Sequence, residues 1–138
     1  NPMIRIDHIG IAVRDMESAN TLFSKLLDHP PYKVETVESE QVATSFFQIG
    51  ESKIELLEAT GPESAIAKYI EKRGEGIHHI AFEVSDIRSE TERLEQAGFI
   101  PLHKEPRRGA DNKWVAFLHP KSANGVLVEL CQSIPEAV

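Results

Sequence analysis

The sequence predicts an α+β fold built from two tandem modules, each with the order strand, helix and three strands (βαβββ). The first observation behind this prediction is an internal repeat, in which Ile6–Met16 aligns with Ile77–Ile87 without a gap. The offset is constant along the repeat, since 79 − 8 and 86 − 15 both give 71. The second observation is that both copies alternate apolar with other residues and then change to helical spacing, as a strand followed by a helix would. The two halves are therefore expected to share one architecture.

The composition limits the classes of protein to which this chain can belong. Its 138 residues suit a single domain, and 41% apolar residues are enough for an ordinary globular core. No uncharged apolar run reaches the roughly 18 residues of a spanning helix, so no membrane partner is expected. The net charge of −7 argues against a nucleic-acid partner. The single Cys131 and the absence of a charged-then-apolar leader predict a cytoplasmic protein.

The first module is predicted to span residues 4–59. Arg5–Val13 has a period of two and is predicted to be a strand, whose second face carries small residues around His8. Asp15 is expected to cap the amphipathic helix Met16–Leu27, which ends before Pro30. Three further strands are predicted at Tyr32–Val37, Gln41–Ile49 and Lys53–Glu58.

A linker helix is predicted within residues 60–76, with Pro62 in its first turn and Gly74 at its C-cap. The second module is predicted to span residues 77–132. Asp86 is expected to cap its helix, and Gly98 to end it. Its strands are predicted at Ile77–Val84, Phe99–His103, Trp114–Leu118 and Val126–Cys131, with Glu105–Lys113 as a polar, basic loop.

Each module places one histidine on its first strand and one glutamate on its last. His8 aligns with His79, and Glu55 aligns with Glu129 at a slightly larger offset, since 129 − 55 gives 74. Two imidazoles and two carboxylates suit a divalent metal of borderline hardness, such as Co²⁺, Mn²⁺, Ni²⁺ or Zn²⁺. The sequence therefore predicts a metal site, provided that the two modules pair about a pseudo-two-fold axis.

The alternative interpretation of these four residues is structural. A strand histidine is more often exposed or hydrogen-bonded than a metal ligand, and a strand glutamate commonly faces solvent. Burying Glu55 or Glu129 without a partner, however, would be costly. Their matched positions in both modules favour the metal site. His78 has no counterpart, because Asp7 occupies the equivalent position, and it is interpreted as structural.

Four segments of the chain resemble the methylmalonyl-CoA epimerase family of the vicinal oxygen chelate superfamily. They are DHIGIAV, KIELLE, GEGIHHIAFEV and FLHPKSANGVLVEL, and the resemblance runs from Ile4 to Cys131. It implies a glyoxalase-like fold, in which the two βαβββ modules form a curved eight-stranded mixed sheet around a metal site. It also implies a homodimer and a divalent metal, with Co²⁺ favoured over Mn²⁺, Ni²⁺ or Zn²⁺. The metal ligands that the resemblance implies are His8, Glu55, His79 and Glu129.

The activity that this resemblance implies is epimerisation of (2R)- and (2S)-methylmalonyl-CoA by an isomerase. Removal of the α-proton would leave a metal-stabilised enolate, and a proton would return to the opposite face. Glu129 is expected to be one base, with Glu55 or a metal-bound water as the other. Some relatives carry an acid on the strand that here has Thr44 and Ser45, so the second base stays open. The first helix is followed by Asp28 where relatives have glycine, which predicts a different turn.

Two basic segments are candidates for binding an acyl-CoA. Lys121 and Ser122 lie in the turn before Glu129 and are expected to hold the substrate carboxylate or thioester; alternatively, this turn serves chain geometry alone. A basic loop in this acidic chain is expected to bind the CoA phosphates, unless it is only solvated. Its residues are Lys104, Arg107, Arg108 and Lys113.

Other functions also suit this fold. A glyoxalase-I-like lyase would use the same four ligands on a glutathione hemithioacetal. An iron dioxygenase usually needs two histidines and one carboxylate, so the additional Glu55 argues against it. A binding module without a metal represents a different class, but such modules lose the ligand residues, and all four are present here.

Overall fold

A computed structural model describes residues 3–135 of the chain. Eight strands form a mixed sheet, which confirms the predicted α+β class. None of the helices within residues 3–135 is long and apolar enough to cross a membrane. The helices lie at Met16–Leu27 (α1), Ala65–Arg73 (α2) and Ile87–Gln96 (α3). The strands lie at Met3–Ala12 (β1), Lys33–Val37 (β2), Val42–Ile49 (β3), Ser52–Ala59 (β4), Gly76–Val84 (β5), Arg107–Gly109 (β6), Lys113–Leu118 (β7) and Val128–Ser133 (β8).

The chain divides into two compact units. One unit consists of residues 8–78, and the other joins residues 3–7 to residues 79–135. The start of β1 thus belongs with the second half of the chain. Arg5 Nε lies 2.9 Å from Glu83 Oε1, and Met3 packs against the apolar core of that unit. The compact units therefore differ at this strand from the modules of the sequence repeat.

In the unit of residues 8–78, the strand order is β2-β3-β4-β1. β1 and β4 run parallel, whereas β3 is antiparallel to both β2 and β4. α1 covers one face of these strands, because the apolar stripe along the helix meets the apolar side of the sheet. The buried centre of this contact consists of Val13, Phe47 and Leu56, and Phe23 of α1 packs against it.

The linker helix α2 covers one end of the opposite face. Its Ile66 forms a buried cluster with Ala12 and Leu57. The helix begins after Ser64, which is later than the predicted start with Pro62 in the first turn. Ser64 caps the helix, because its hydroxyl accepts a hydrogen bond from the Ile66 amide at 3.2 Å. The predicted C-cap is confirmed, since the amide of Gly74 donates to the carbonyl of Ile70 at 2.8 Å.

The caps of α1 follow from its flanking residues. The carboxylate of Asp15 accepts a hydrogen bond from the Ser18 amide at 3.1 Å, as the sequence predicts. At the other end, Asp28 takes a left-handed conformation with φ of 60°. Aspartate tolerates this conformation better than most residues other than glycine and asparagine. The turn after α1 is therefore made without a glycine.

In the other unit, β5, β8, β7 and β6 are neighbours in that order. β5 and β8 run parallel, and the remaining pairs are antiparallel. α3 packs on one face of these strands through Ile87 and Leu94, which meet Leu118 and Leu130. Asp86 caps the helix as predicted, by accepting from the Ser89 amide at 3.2 Å.

The prediction of a strand at Phe99–His103 is wrong. This segment makes one isolated bridge, from Pro101 to Leu118. The pairing extends no further because the Ile100 amide donates to the Ser122 hydroxyl at 3.0 Å rather than to the chain that follows β7. The fourth strand of the unit is instead β6, within the segment that was predicted to be a loop. It pairs with β7, where Gly109 leaves space for Val115: a Cβ on Gly109 would lie 2.8 Å from Val115 Cγ1.

We expect Leu56→Ala to lower the free energy of unfolding by about 2–5 kcal/mol, because it leaves a cavity between β4 and α1. Leu56 is fully buried. The matched control is Leu22→Ala on the outer face of α1, where the residue is 63% exposed and the expected change is within about 0.5 kcal/mol. Urea unfolding followed by circular dichroism measures both variants. Equal losses of stability would contradict this packing.

Candidate active site

The first half of the candidate site lies on the face of the sheet opposite α1. In the parallel pair of β1 and β4, the Cα partner of His8 is Lys53, and that of Gly10 is Glu55. Because side chains alternate along a strand, His8 and Glu55 project from the same face as diagonal neighbours. His8 Nδ1 lies 3.1 Å from Glu55 Oε2, and the two side chains are only 6% and 7% exposed. The structure thus brings two of the predicted site residues into direct contact.

The second unit contains an equivalent pair on β5 and β8. His79 Nε2 lies 3.1 Å from Glu129 Oε1, and the side chains are 5% and 6% exposed. Phe117, the partner of Glu129 on β7, meets the His79 ring edge-on at 5.8 Å between centroids. Each unit therefore holds one buried histidine against one buried glutamate.

A small residue lies opposite the glutamate in both units. Gly10 is the partner of Glu55, and Ala81 is the partner of Glu129. These two residues are also equivalent in the sequence repeat, since 81 − 10 gives 71. A large side chain at either position would fill the space beside the carboxylate. Both glutamates thus lie opposite a residue with little or no side chain.

Strand β3 offers no acidic side chain to the face that carries Glu55. Thr44 lies on this face and is almost fully buried, whereas Ser45 faces α1 and donates a hydrogen bond to Asn20 Oδ1 at 2.5 Å. The nearest acid on a neighbouring strand is Glu35 of β2, which pairs with Thr44. The Glu35 carboxylate lies 3.2 Å from the Lys33 ammonium on the same strand. In the unit of residues 8–78, Glu55 is therefore the buried acid on this face.

The two arginines of the basic loop lie on β6 and point to opposite faces of the sheet. Arg107 pairs with Val115, which pairs with Cys131, two residues after Glu129. Arg107 thus shares the face of Glu129. Arg108 lies on the other face, where its guanidinium is 5.4 Å from the centre of the Trp114 ring. A loop would make these two arginines equivalent, whereas the observed strand β6 places them on opposite faces of the sheet.

The two lysines of the basic segment also differ. Lys104 is exposed. Lys113 begins β7 and is mostly buried: its ammonium lies 3.6 Å from Asp7 Oδ1 and donates to Ser133 Oγ at 2.9 Å. Lys113 is therefore engaged within its own unit and is not part of a solvated loop.

Ser122 and Lys121 lie in a short 3₁₀ turn, Pro120–Ser122. The Ser122 hydroxyl donates to the His119 carbonyl at 2.7 Å and accepts from the Ile100 amide at 3.0 Å. The turn is further fixed by the Lys121 amide, which donates to His119 Nδ1 at 3.0 Å. These contacts connect the turn to the segment before β6. They give Ser122 a structural role, and its predicted contact with substrate stays a prediction.

We expect Ser122→Ala to lower the free energy of unfolding by about 1 kcal/mol, because the Ile100 amide loses its hydrogen-bond acceptor. Lys121→Ala in the same turn is the control, since its side chain is exposed and its change should stay within about 0.5 kcal/mol. Thermal unfolding of both variants tests this. A Ser122→Ala variant with unchanged stability and weaker substrate affinity would instead support a direct role in binding.

Residues 7–117 match the Glyoxalase/Bleomycin resistance protein/Dioxygenase superfamily. The chain is 42% identical over 130 residues to the ethylmalonyl-CoA/methylmalonyl-CoA epimerase of Cereibacter sphaeroides, covering 93% of this chain and 97% of that protein. A solved structure of a hypothetical protein from Bacillus halodurans has a TM-score of 0.91 at 44% identity and 97% coverage of both chains. A variant of the Streptomyces coelicolor methylmalonyl-CoA epimerase, in complex with 2-nitronate-propionyl-CoA, has a TM-score of 0.92 at 36% identity, covering 96% of this chain and 99% of that one.

Proposed function

Because the chain belongs to the methylmalonyl-CoA epimerase family of the Glyoxalase/Bleomycin resistance protein/Dioxygenase superfamily, we propose that it interconverts (2R)- and (2S)-methylmalonyl-CoA. The observation that carries this proposal is the pair of buried histidine–glutamate contacts, one in each unit, at positions that the sequence repeat makes equivalent. Both contacts measure 3.1 Å. Such a set of acids and imidazoles suits the removal and return of a proton next to a carbonyl group.

The chemistry of these residues fits a divalent metal ion. We propose His8, Glu55, His79 and Glu129 as its ligands, because two imidazole nitrogens and two carboxylate oxygens favour ions of borderline hardness. Four buried polar side chains, two of them acids, also need a compensating charge, which a cation provides. Co²⁺ is the first choice, with Mn²⁺, Ni²⁺ or Zn²⁺ as alternatives. When bound, the ion supplies Lewis-acid stabilisation of negative charge on the thioester oxygen.

The chain's own acids would move the proton. Glu129 is proposed as the base that takes the α-proton from one face of the substrate. Glu55 is proposed as the acid that returns a proton to the opposite face, because β3 carries Thr44 and Ser45 and offers no carboxylate in their place. Both glutamates are buried, and a carboxylate that is shielded from water interacts more strongly with nearby charges.

The acyl-CoA would extend from this site towards β6. Arg107 is the stronger candidate for a phosphate contact, since it shares the sheet face of Glu129, whereas Arg108 lies on the other face against Trp114. Lys121 and Ser122 remain proposed contacts of the thioester or carboxylate end. A homodimer in the cytoplasm is proposed on the family resemblance, and sedimentation would test the dimer.

The deciding experiment is solvent-deuterium incorporation at C2 of (2R)- and (2S)-methylmalonyl-CoA. We expect the Co²⁺-loaded protein to exchange this proton with loss of configuration, and the protein without metal to exchange none. Glu129→Gln should lower the turnover rate at least about a hundredfold. The substitution preserves size and removes the base, and circular dichroism checks that folding survives. Absence of exchange with either epimer, together with turnover of a glutathione hemithioacetal, would point to the glyoxalase-type lyase. Absence of metal binding would favour the binding module.

A second prediction separates the two bases. We expect Glu55→Gln to keep the metal, because an amide oxygen is still a ligand, and to lose epimerisation. It should nevertheless exchange the α-proton of one epimer with solvent, because Glu129 remains able to act on its own face of the substrate. Metal content by mass spectrometry and exchange by NMR measure the two properties. Normal epimerisation in this variant would assign the second proton transfer to water.

The β6 arginines provide a matched pair for testing the CoA contact. We expect Arg107→Ala to weaken acyl-CoA binding about tenfold, since a charge-assisted hydrogen bond to phosphate is lost, and Arg108→Ala to change it less than about twofold. Calorimetry at two salt concentrations measures both, because a lost phosphate contact also reduces the dependence of affinity on salt. Equal losses of affinity in the two variants would mean that the sheet face of an arginine does not determine whether it contacts the CoA phosphates.

A further inference from the structure

Lys53 is a buried lysine on the face of the sheet that carries His8 and Glu55. It is the Cα partner of His8 on β1 and of Gln48 on β3, and it lies two residues before Glu55 on β4. Its side chain therefore projects from the same face as both predicted ligands. The residue is only 7% exposed. Lysine is rarely buried to this extent unless its ammonium serves a specific contact.

The sequence repeat indicates that this charge is not part of the common architecture. The segment Lys53-Ile54-Glu55-Leu56 aligns with Leu127-Val128-Glu129-Leu130, so the equivalent of Lys53 is Leu127, since 127 − 53 gives 74. Leu127 precedes Glu129 without a positive charge. The fold of a module and the histidine–glutamate contact thus form without this lysine. Lys53 therefore adds a positive charge to one half of the repeat and not to the other.

We propose that Lys53 is a specificity-determining residue that binds the free carboxylate of an acyl-CoA substrate. This inference rests on the proposed function, whose substrate carries a carboxylate on the same carbon as the thioester. The substrate is unsymmetrical, because it presents a thioester on one side and an anion on the other. A lysine on the sheet face of Glu55, with no counterpart in the other half, matches that difference, since its ammonium attracts the carboxylate and not the thioester.

In the free chain Lys53 already takes part in another interaction, so the substrate carboxylate would join or replace that partner. One end of this face is covered by α2 over Ala12 and Leu57. Lys53 lies at the other end of the β4 segment, next to the β3–β4 turn. The carboxylate would therefore bind on the side of Glu55 away from α2.

Lys33 provides the matched control. It projects from the same face, because it pairs with Phe46, which pairs with Glu55. Its ammonium, however, lies 5.0 Å from the centre of the Phe46 ring and 3.2 Å from Glu35 Oε1, and its side chain is 38% exposed. Lys33 thus has the same charge on the same face but is two strands from Glu55 and engaged at the surface.

The test compares the binding of racemic methylmalonyl-CoA and isobutyryl-CoA, in which a methyl group replaces the carboxylate. Calorimetry gives the two dissociation constants for the Co²⁺-loaded wild type, Lys53→Met, Lys53→Arg and Lys33→Met. We expect Lys53→Met to reduce the preference for methylmalonyl-CoA at least about tenfold while isobutyryl-CoA binds as before. Lys53→Arg should restore part of the preference, and Lys33→Met should leave it unchanged.

The outcomes separate this inference from the proposed function. A wild type that binds neither acyl-CoA overturns both. A wild type that prefers methylmalonyl-CoA, with the same preference in Lys53→Met, overturns the role of Lys53 alone. Equal weakening of both ligands also overturns it, because that result indicates a structural role. If Lys53→Met fails to fold or loses its metal, Lys53→Gln replaces it, because glutamine keeps a polar side chain without the charge. The ratio of the two dissociation constants is then compared with that of the wild type.

Discussion

The burial of Glu55 and Glu129 is the constraint on which the rest of the structure depends. A carboxylate removed from water is unstable unless a donor or a cation accompanies it. Each unit meets this requirement in the same way, with a histidine on the neighbouring parallel strand at 3.1 Å. The parallel register, the small residues Gly10 and Ala81 opposite each acid, and the apolar packing on the other face all serve to hold this contact in place.

Much of the fold could be predicted from the sequence, because the repeat and the period-two pattern identify strands that are buried on at least one face. The failure at Phe99–His103 has a physical cause. Short strands form where a neighbour supplies hydrogen bonds, and local composition does not reveal that neighbour. At Phe99–His103 the Ile100 amide bonds to the Ser122 side chain, and the pairing stays a single bridge. Arg107–Gly109 has no apolar side chain but becomes a strand because β7 pairs with it.

The histidine–glutamate contacts could be predicted for the same reason, since the parity of each strand places these residues on one face once the strands are parallel neighbours. Parity distinguishes residues only within a predicted strand, so a predicted loop gives no reason to separate Arg107 from Arg108. The role of Ser122 depends on a backbone amide 22 residues away, which no local pattern indicates. Lys53 was part of a recognised segment, but only its burial draws attention to its charge.

Residues that the two halves share and residues that only one half has suit different parts of the proposed function. Both halves share one histidine, one glutamate and one small residue opposite the glutamate. These shared residues suit a task that is itself symmetrical, such as binding an ion or moving a proton on either face of the substrate. Recognition of a substrate with two different ends cannot come from symmetrical parts. It must come from residues that only one half possesses, because these give the two ends different interaction energies. Lys53, whose counterpart is Leu127, is such a residue, and α2, which has no counterpart, is such an element.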